Sequence, residues 1–157
     1  MRISSRGRYA LKMMLDIALN GGAEAPVSLS SVAGRTGLSH GYLEQLAMSL
    51  RSARLVRGVA GRHGGYKLVD HPSKITVRMI IEAVMGPICV VDCVDDPVSC
   101  PHVDTCECFD VYELLNRRIT EVLEEFTLEE LMHRSKLKGR GLGGVDGAAE
   151  LAIFPNR

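Results

Sequence analysis

The sequence predicts a mainly α-helical chain with one small β-hairpin, and three observations carry that prediction. Apolar residues recur at helical spacing in five separate segments. One pair of short β-rich runs, residues 55–60 and 66–69, flanks the turn Gly61-Arg62-His63-Gly64-Gly65. All five cysteines fall within the twenty residues 89–108, a stretch with no steady period of either kind.

The first helix is expected to begin at a Ser4-Ser5 cap. Ala10, Leu11, Met14, Leu15, Ala18 and Leu19 then line one face until Asn20-Gly21-Gly22 stops it. Arg2, Arg6, Arg8 and Lys12 cluster near its start and suit phosphate contact. Ser28 caps a short second helix with Leu29, Val32 and Ala33 inward. After Thr36-Gly37-Leu38-Ser39, a longer helix over residues 40–53 puts Leu43, Leu46, Ala47 and Leu50 on one face. Two helices joined by a short Gly-containing turn are the helix-turn-helix pattern. The first part of the second helix of that motif enters the major groove. Ser39, His40, Tyr42 and Gln45 stand there, with Arg51 further along the polar side. Gln pairs with adenine edges, and Ser and His with phosphate or base acceptors. The hairpin follows directly and reads as a wing. Arg62 and His63 at its tip suit a narrow, electronegative minor groove.

Charge supports this division. The formal net charge is zero, but residues 1–78 carry twelve Lys and Arg against four Asp and Glu, a net +8. Residues 79–157 carry seven against fifteen, a net −8. A basic half of this size fits a polyanion, and double-stranded DNA is the expected partner. No pairing of nucleophile and base stands out, so an enzyme is not expected.

After the His71-Pro72-Ser73 break, Thr76 caps a helix with Val77, Ile80, Ile81 and Val84 inward. Residues 86–108 are then expected to be a cysteine-rich loop. Cys93, Cys100 and Cys106 are separated by six and five residues, and Cys108 is separated from Cys106 by one. Structural zinc favours closer pairs, and only Cys89 and Cys93 fit that habit. Iron–sulfur clusters are held by thiolates at wider spacings. Zinc and unliganded thiols remain alternatives, as does an iron–sulfur carrier protein, in which the basic head has no purpose. From residue 109, Val111, Leu115, Ile119, Val122 and Phe126 form an apolar stripe suited to a dimerisation helix. Thr127-Leu128-Glu129-Glu130 is a capping box that opens a final short helix. Residues 135–157, Gly-rich, read as a flexible tail.

Length and composition set the outer bounds. The chain has 157 residues, 46% of them apolar, enough for a real core. No apolar run approaches the ~20 residues that span a bilayer, so no membrane is expected. The first residues, MRISSRGRYALKMM, lack the continuous apolar region of a signal peptide. The expected compartment is the cytoplasm, where thiols stay reduced, and an odd cysteine count argues against a closed disulfide framework.

Three motifs together resemble a known family. ISSRGRYALKMMLDIA, LSHGYLEQL with Arg51 downstream, and GRHGGYKL occur in order with matching gaps. They resemble the Rrf-two superfamily of bacterial winged-helix regulators, nearest its iron–sulfur cluster regulator (IscR-type) branch, over residues 1 to about 135. The resemblance implies a winged helix-turn-helix over residues 1–85, a cluster-binding loop over 86–108, and a dimerisation helix with a short helix over 109–134. It implies a homodimeric DNA-binding regulator, expected to be a repressor, on a palindromic operator. It also implies an iron–sulfur cluster, 2Fe–2S or 4Fe–4S, on Cys93, Cys100 and Cys106. The chain departs from the pattern at Ala60, where the branch has an arginine, and at Phe109 and Arg8, where its relatives take their fourth ligand. Cys108 is the local fourth candidate, with Cys89 and His102 behind it.

Overall fold

The computed structural model describes residues 3–137, which form seven α-helices and one two-stranded antiparallel sheet among them. Arg2 and residues 138–157 of the expected tail lie outside the described residues.

Each head helix starts on a side-chain cap. Helix α1 (Ser5–Asn20) begins where the Ser4 hydroxyl accepts from the Gly7 amide. Helices α2 (Leu29–Thr36) and α3 (His40–Ser52) begin on Ser28 and Ser39, which accept from the Ser31 and Tyr42 amides. Each cap satisfies an amide that has no partner within its own helix. Gly37, with φ of 72°, ends α2 in the left-handed conformation and turns the chain into α3.

Met13, Met14, Ile17, Val32, Leu43 and Leu46 are fully buried where these helices meet. The face of α1 differs from the expected one. Leu19 is exposed and Leu11 and Leu15 are half-buried, while Met13 and Ile17 take core positions. The reason is that α1 packs against α2, α3, α4, α7 and the second strand, so its buried arc is wider than a two-helix seam.

The hairpin pairs β1 (Val56–Val59) with β2 (Gly65–Leu68), Val56 opposite Leu68. Its root is tied to the segment that leads into α2. The Val27 amide donates to the Tyr66 carbonyl at 2.8 Å, and the Tyr66 amide to the Val27 carbonyl at 2.9 Å. Glycine permits this approach, because a Cβ on Gly65 would lie 2.3 Å from the Val27 carbonyl oxygen.

Helix α4 (Val77–Met85), capped by Thr76, lays Ile80, Ile81 and Val84 against the head, in contact with α1 and α3. The cysteine segment is less irregular than expected. It holds one helical turn, α5 (Asp92–Asp95), and two 3-10 turns, Pro97–Ser99 and Val103–Thr105. None of them buries a residue. Helix α6 (Phe109–Glu125) lies along α4 and also buries none of its residues. The turn into α7 (Leu128–Leu137) is pinned to the head: the Val77 amide donates to the Phe126 carbonyl and the Leu128 amide to the Ile75 carbonyl, both at 2.8 Å. The capping box forms, with the Thr127 amide bonded to Glu130 Oε2 at 2.9 Å and the Glu130 amide to Thr127 Oγ1 at 3.2 Å. Helix α7 runs through Leu137, so residues 135–137, expected to belong to the tail, are helical, and no glycine interrupts the sequence there. Among the described residues no helix is long and apolar enough to cross a membrane.

Candidate nucleic-acid interface and cysteine loop

The outward face of α3 follows helical spacing: Gly41, Glu44, Gln45, Met48 and Arg51 are exposed, while Leu43, Leu46, Ala47 and Leu50 hold the inner face. Of the residues expected to read DNA, Ser39 is exposed, and its hydroxyl also caps α3 at 3.4 Å from the Tyr42 amide. His40 Nδ1 lies 3.6 Å from Glu44 Oε1 one turn on. Gln45 and Arg51 are exposed on the polar side of α3, and Arg62 and His63 are exposed at the wing tip. Arg6 reaches across from α1, its Nη2 donating to Ser49 Oγ at 3.0 Å, which places it beside the second half of α3.

Two of the expected polar groups serve packing. Tyr42 is half-buried and meets Tyr9 edge-on, with ring centroids 6.0 Å apart at 89°, so its ring joins α3 to α1. Lys12 Nζ donates to the Thr36 carbonyl at 2.8 Å and caps the C-terminal end of α2, where a cation is favoured, rather than standing free for phosphate.

The head also contains groups the sequence reading passed over. Met48 is 63% exposed at the middle of the outward face of α3. Asp16, only 3% exposed, accepts from Arg35 Nε at 2.9 Å and Nη2 at 2.8 Å, clamping α1 to α2. The hydrogen bond that Arg35 donates to Asp16 holds the Arg35 pKa above its ordinary value, against a smaller lowering by burial. The signal was present in the sequence. Asp16 sits between Leu15 and Ile17 on an otherwise apolar stripe, and a carboxylate there requires a partner.

All five cysteines are free. Cys93, Cys100 and Cys106 are half-buried and Cys108 is exposed, directly before α6. Cys89 is half-buried and its thiol donates to the Val91 carbonyl at 2.8 Å; His102 is exposed. The expected set Cys93, Cys100, Cys106 and Cys108 shares one loop but is not drawn together. Among the described residues no three His, Cys, Asp or Glu side chains gather closely enough to hold a metal ion. The physical reason is that thiols have no mutual attraction, and a sulfur-binding group supplies the free energy that gathers them. The donor chemistry itself fits such a group, since unpaired thiols on short, unburied turns are free to converge.

The loop is fastened to both neighbours. The Ile88 amide donates to Glu82 Oε1 of α4 at 3.4 Å, and the Val90 amide to Asn116 Oδ1 of α6 at 3.1 Å. Arg78 joins those two helices, 3.2 Å from Glu82 and 3.6 Å from Glu124. Beyond the loop, Val111, Leu115 and Val122 of the expected stripe are 43–55% exposed, together with Leu114.

Comparison with known proteins places this architecture. The family described as Rrf2, iron-dependent transcriptional regulator, matches residues 3–134. The HTH-type transcriptional regulator IscR of Pectobacterium atrosepticum is 39% identical over 137 residues, covering 87% of this chain and 82% of that protein. Among solved structures, IscR of T. potens superposes with a TM-score of 0.71 at 34% identity, covering 91% of this chain and 94% of that one. CymR of B. subtilis, described as the global cysteine regulator, superposes with a TM-score of 0.68 at 36% identity, covering 85% and 98%. These relatives are regulators and not enzymes, in agreement with the reading of the sequence. A basic helix-turn-helix head, a wing and a match across nearly all the described residues lead to one conclusion: the chain belongs to the Rrf2 family of transcriptional regulators.

Proposed function

We propose that the chain is a cytoplasmic repressor that binds a palindromic operator as a homodimer, and that an iron–sulfur cluster in the cysteine loop sets its affinity for DNA. One observation carries this reading. Five free thiols lie in a single short segment between a helix packed on the DNA-binding head and a helix whose apolar stripe is exposed at Val111, Leu115 and Val122. Cys93, Cys100 and Cys106 are the ligands favoured, with Cys108 as the fourth. When bound, the cluster supplies a redox-active centre held by thiolates, of the 2Fe–2S or 4Fe–4S type. The chain's own residues supply the rest. Glu82 and Asn116 hold the two ends of the loop's first segment to α4 and α6, and Arg78 ties those helices together. Any change in the path of the loop therefore acts on the seat of the head relative to α6. A second copy covers the stripe of α6 and sets two α3 helices about one helical turn apart on DNA.

A second reading keeps the fold and the DNA but senses through zinc or free thiols. It draws on the likeness to CymR, itself described as a cysteine regulator. The separating experiment is visible absorption with iron and sulfide analysis on anaerobically purified protein, beside a Cys93→Ala/Cys100→Ala/Cys106→Ala variant. A coloured parent with stoichiometric iron and sulfide and a colourless variant support the cluster. A colourless, iron-free parent removes the cluster and leaves zinc or thiol sensing.

A further inference from the structure

A cleft of about 420 Å³ lies between the start of α2 and the tip of the wing. Asn20, Ser28, Ser31, Arg35, Arg62 and His63 line it, and no carboxylate does. We propose that this cleft seats one phosphate of the DNA backbone, with Arg35 and Arg62 as its paired cations. The proposal rests on the DNA-binding reading above and adds to it a contact that involves neither the outward face of α3 nor a base edge.

Three features make the cleft a built site. Arg35 is held in place from behind: Asp16 occupies Nε and Nη2 and leaves Nη1 with no partner among the described residues, on a side chain 36% exposed. The two walls are fixed relative to each other, because the Val27–Tyr66 pairing locks the wing root to the residue before Ser28. The floor is the first turn of α2, where the Ser28 and Ser31 hydroxyls are bonded to each other at 2.8 Å. Ser31 occupies the position at which Glu or Gln would close a capping box with Ser28. A carboxylate there would favour the helix dipole, yet the first turn of α2 carries no acid. Helix stability alone favours an acid at Ser31; an incoming phosphate disfavours it.

The variant Ser31→Glu separates these two demands, because it improves the capping of α2 while placing a negative charge in the cleft. Its neutral counterpart, Ser31→Gln, supplies the same capping group without the charge. Binding is followed by fluorescence anisotropy on random-sequence duplex DNA across a salt series. Both variants are expected to melt at or above the temperature of the parent. Ser31→Glu is expected to weaken binding about tenfold at low salt and to lower the slope of log K against log salt by about one, while Ser31→Gln, which adds bulk without charge, is expected to lose clearly less of both. Equal affinity and equal slope for Ser31→Glu and parent would overturn the cleft and leave the regulator reading intact. Failure of the parent to bind any duplex would overturn both. Calorimetric titration of DNA-free protein with inorganic phosphate covers the other source of the same chemistry. Saturable micromolar binding, abolished by Ser31→Glu while DNA affinity stays at the parent value, would reassign the cleft to a free anion and overturn the backbone assignment.

Discussion

The DNA-binding head and the cysteine loop contrast at every level of structure. Helices α1 to α4 each start on a Ser or Thr whose side chain accepts from a helix amide, and none has an acid in its first turn. Helices α5 and α6 start on Val91 and Cys108 with no side-chain cap, and Asp92, Asp95 and Asp110 stand in their first turns. The head closes over a fully buried core, while α5 and α6 bury nothing. The difference teaches how one chain joins a self-packed head to a segment that builds no core of its own. The basic half has a shape fixed by its own packing and leaves its helix N-termini free of competing acid. The acidic half carries its five free thiols on short turns that bury nothing.

The contrast breaks most visibly in stability. Leu46→Ala in the fully buried face of α3 is expected to cost about 2–5 kcal/mol in urea unfolding. Asp16→Ala removes the clamp between α1 and α2 and is expected to cost about 1.5–3 kcal/mol, toward the lower end because the freed Arg35 can turn to water. The same variant loosens Arg35 in its cleft, so DNA affinity should fall with stability. Arg54→Gly works in the opposite direction. Arg54 holds φ of 59° just after α3, a conformation that suits glycine, and its replacement is expected to raise stability by about 1 kcal/mol in the same assay. Val98→Ser in the loop, where Val98 is 92% exposed, should change stability by less than about 0.5 kcal/mol. A large effect at Val98 would mean that the loop packs against something and that the contrast is wrong.

The same contrast decides what the sequence made legible. Ser4, Ser28 and Thr76 announce their helices, and the pattern Thr127 to Glu130 announces α7, because capping is local and needs only a few residues. The wing was visible in its glycines, although the reason Gly65 is needed, the approach of Val27 from outside the hairpin, was not. The pairing of Asp16 with Arg35 spans nineteen residues and joins two helices, so only the fold reveals its partner. Tyr42 looked like a reading residue from its helix position, and only the fold shows that its ring also packs edge-on against Tyr9. Within the loop the clustered cysteines stand out in the sequence, but the turns at Pro97–Ser99 and Val103–Thr105 carry no periodic signal.

The central claim is that the state of the loop controls the head. The direct measurement is anaerobic titration of the protein onto duplex DNA selected by it from a random pool, before and after loading with iron and sulfide. The Cys93→Ala/Cys100→Ala/Cys106→Ala variant is carried in parallel. The account predicts that loading changes the parent's affinity by about tenfold or more, within the usual range of coupling between sites, and leaves the variant unmoved. A parent that takes up iron and sulfide stoichiometrically and binds DNA with the same affinity in both states would contradict it.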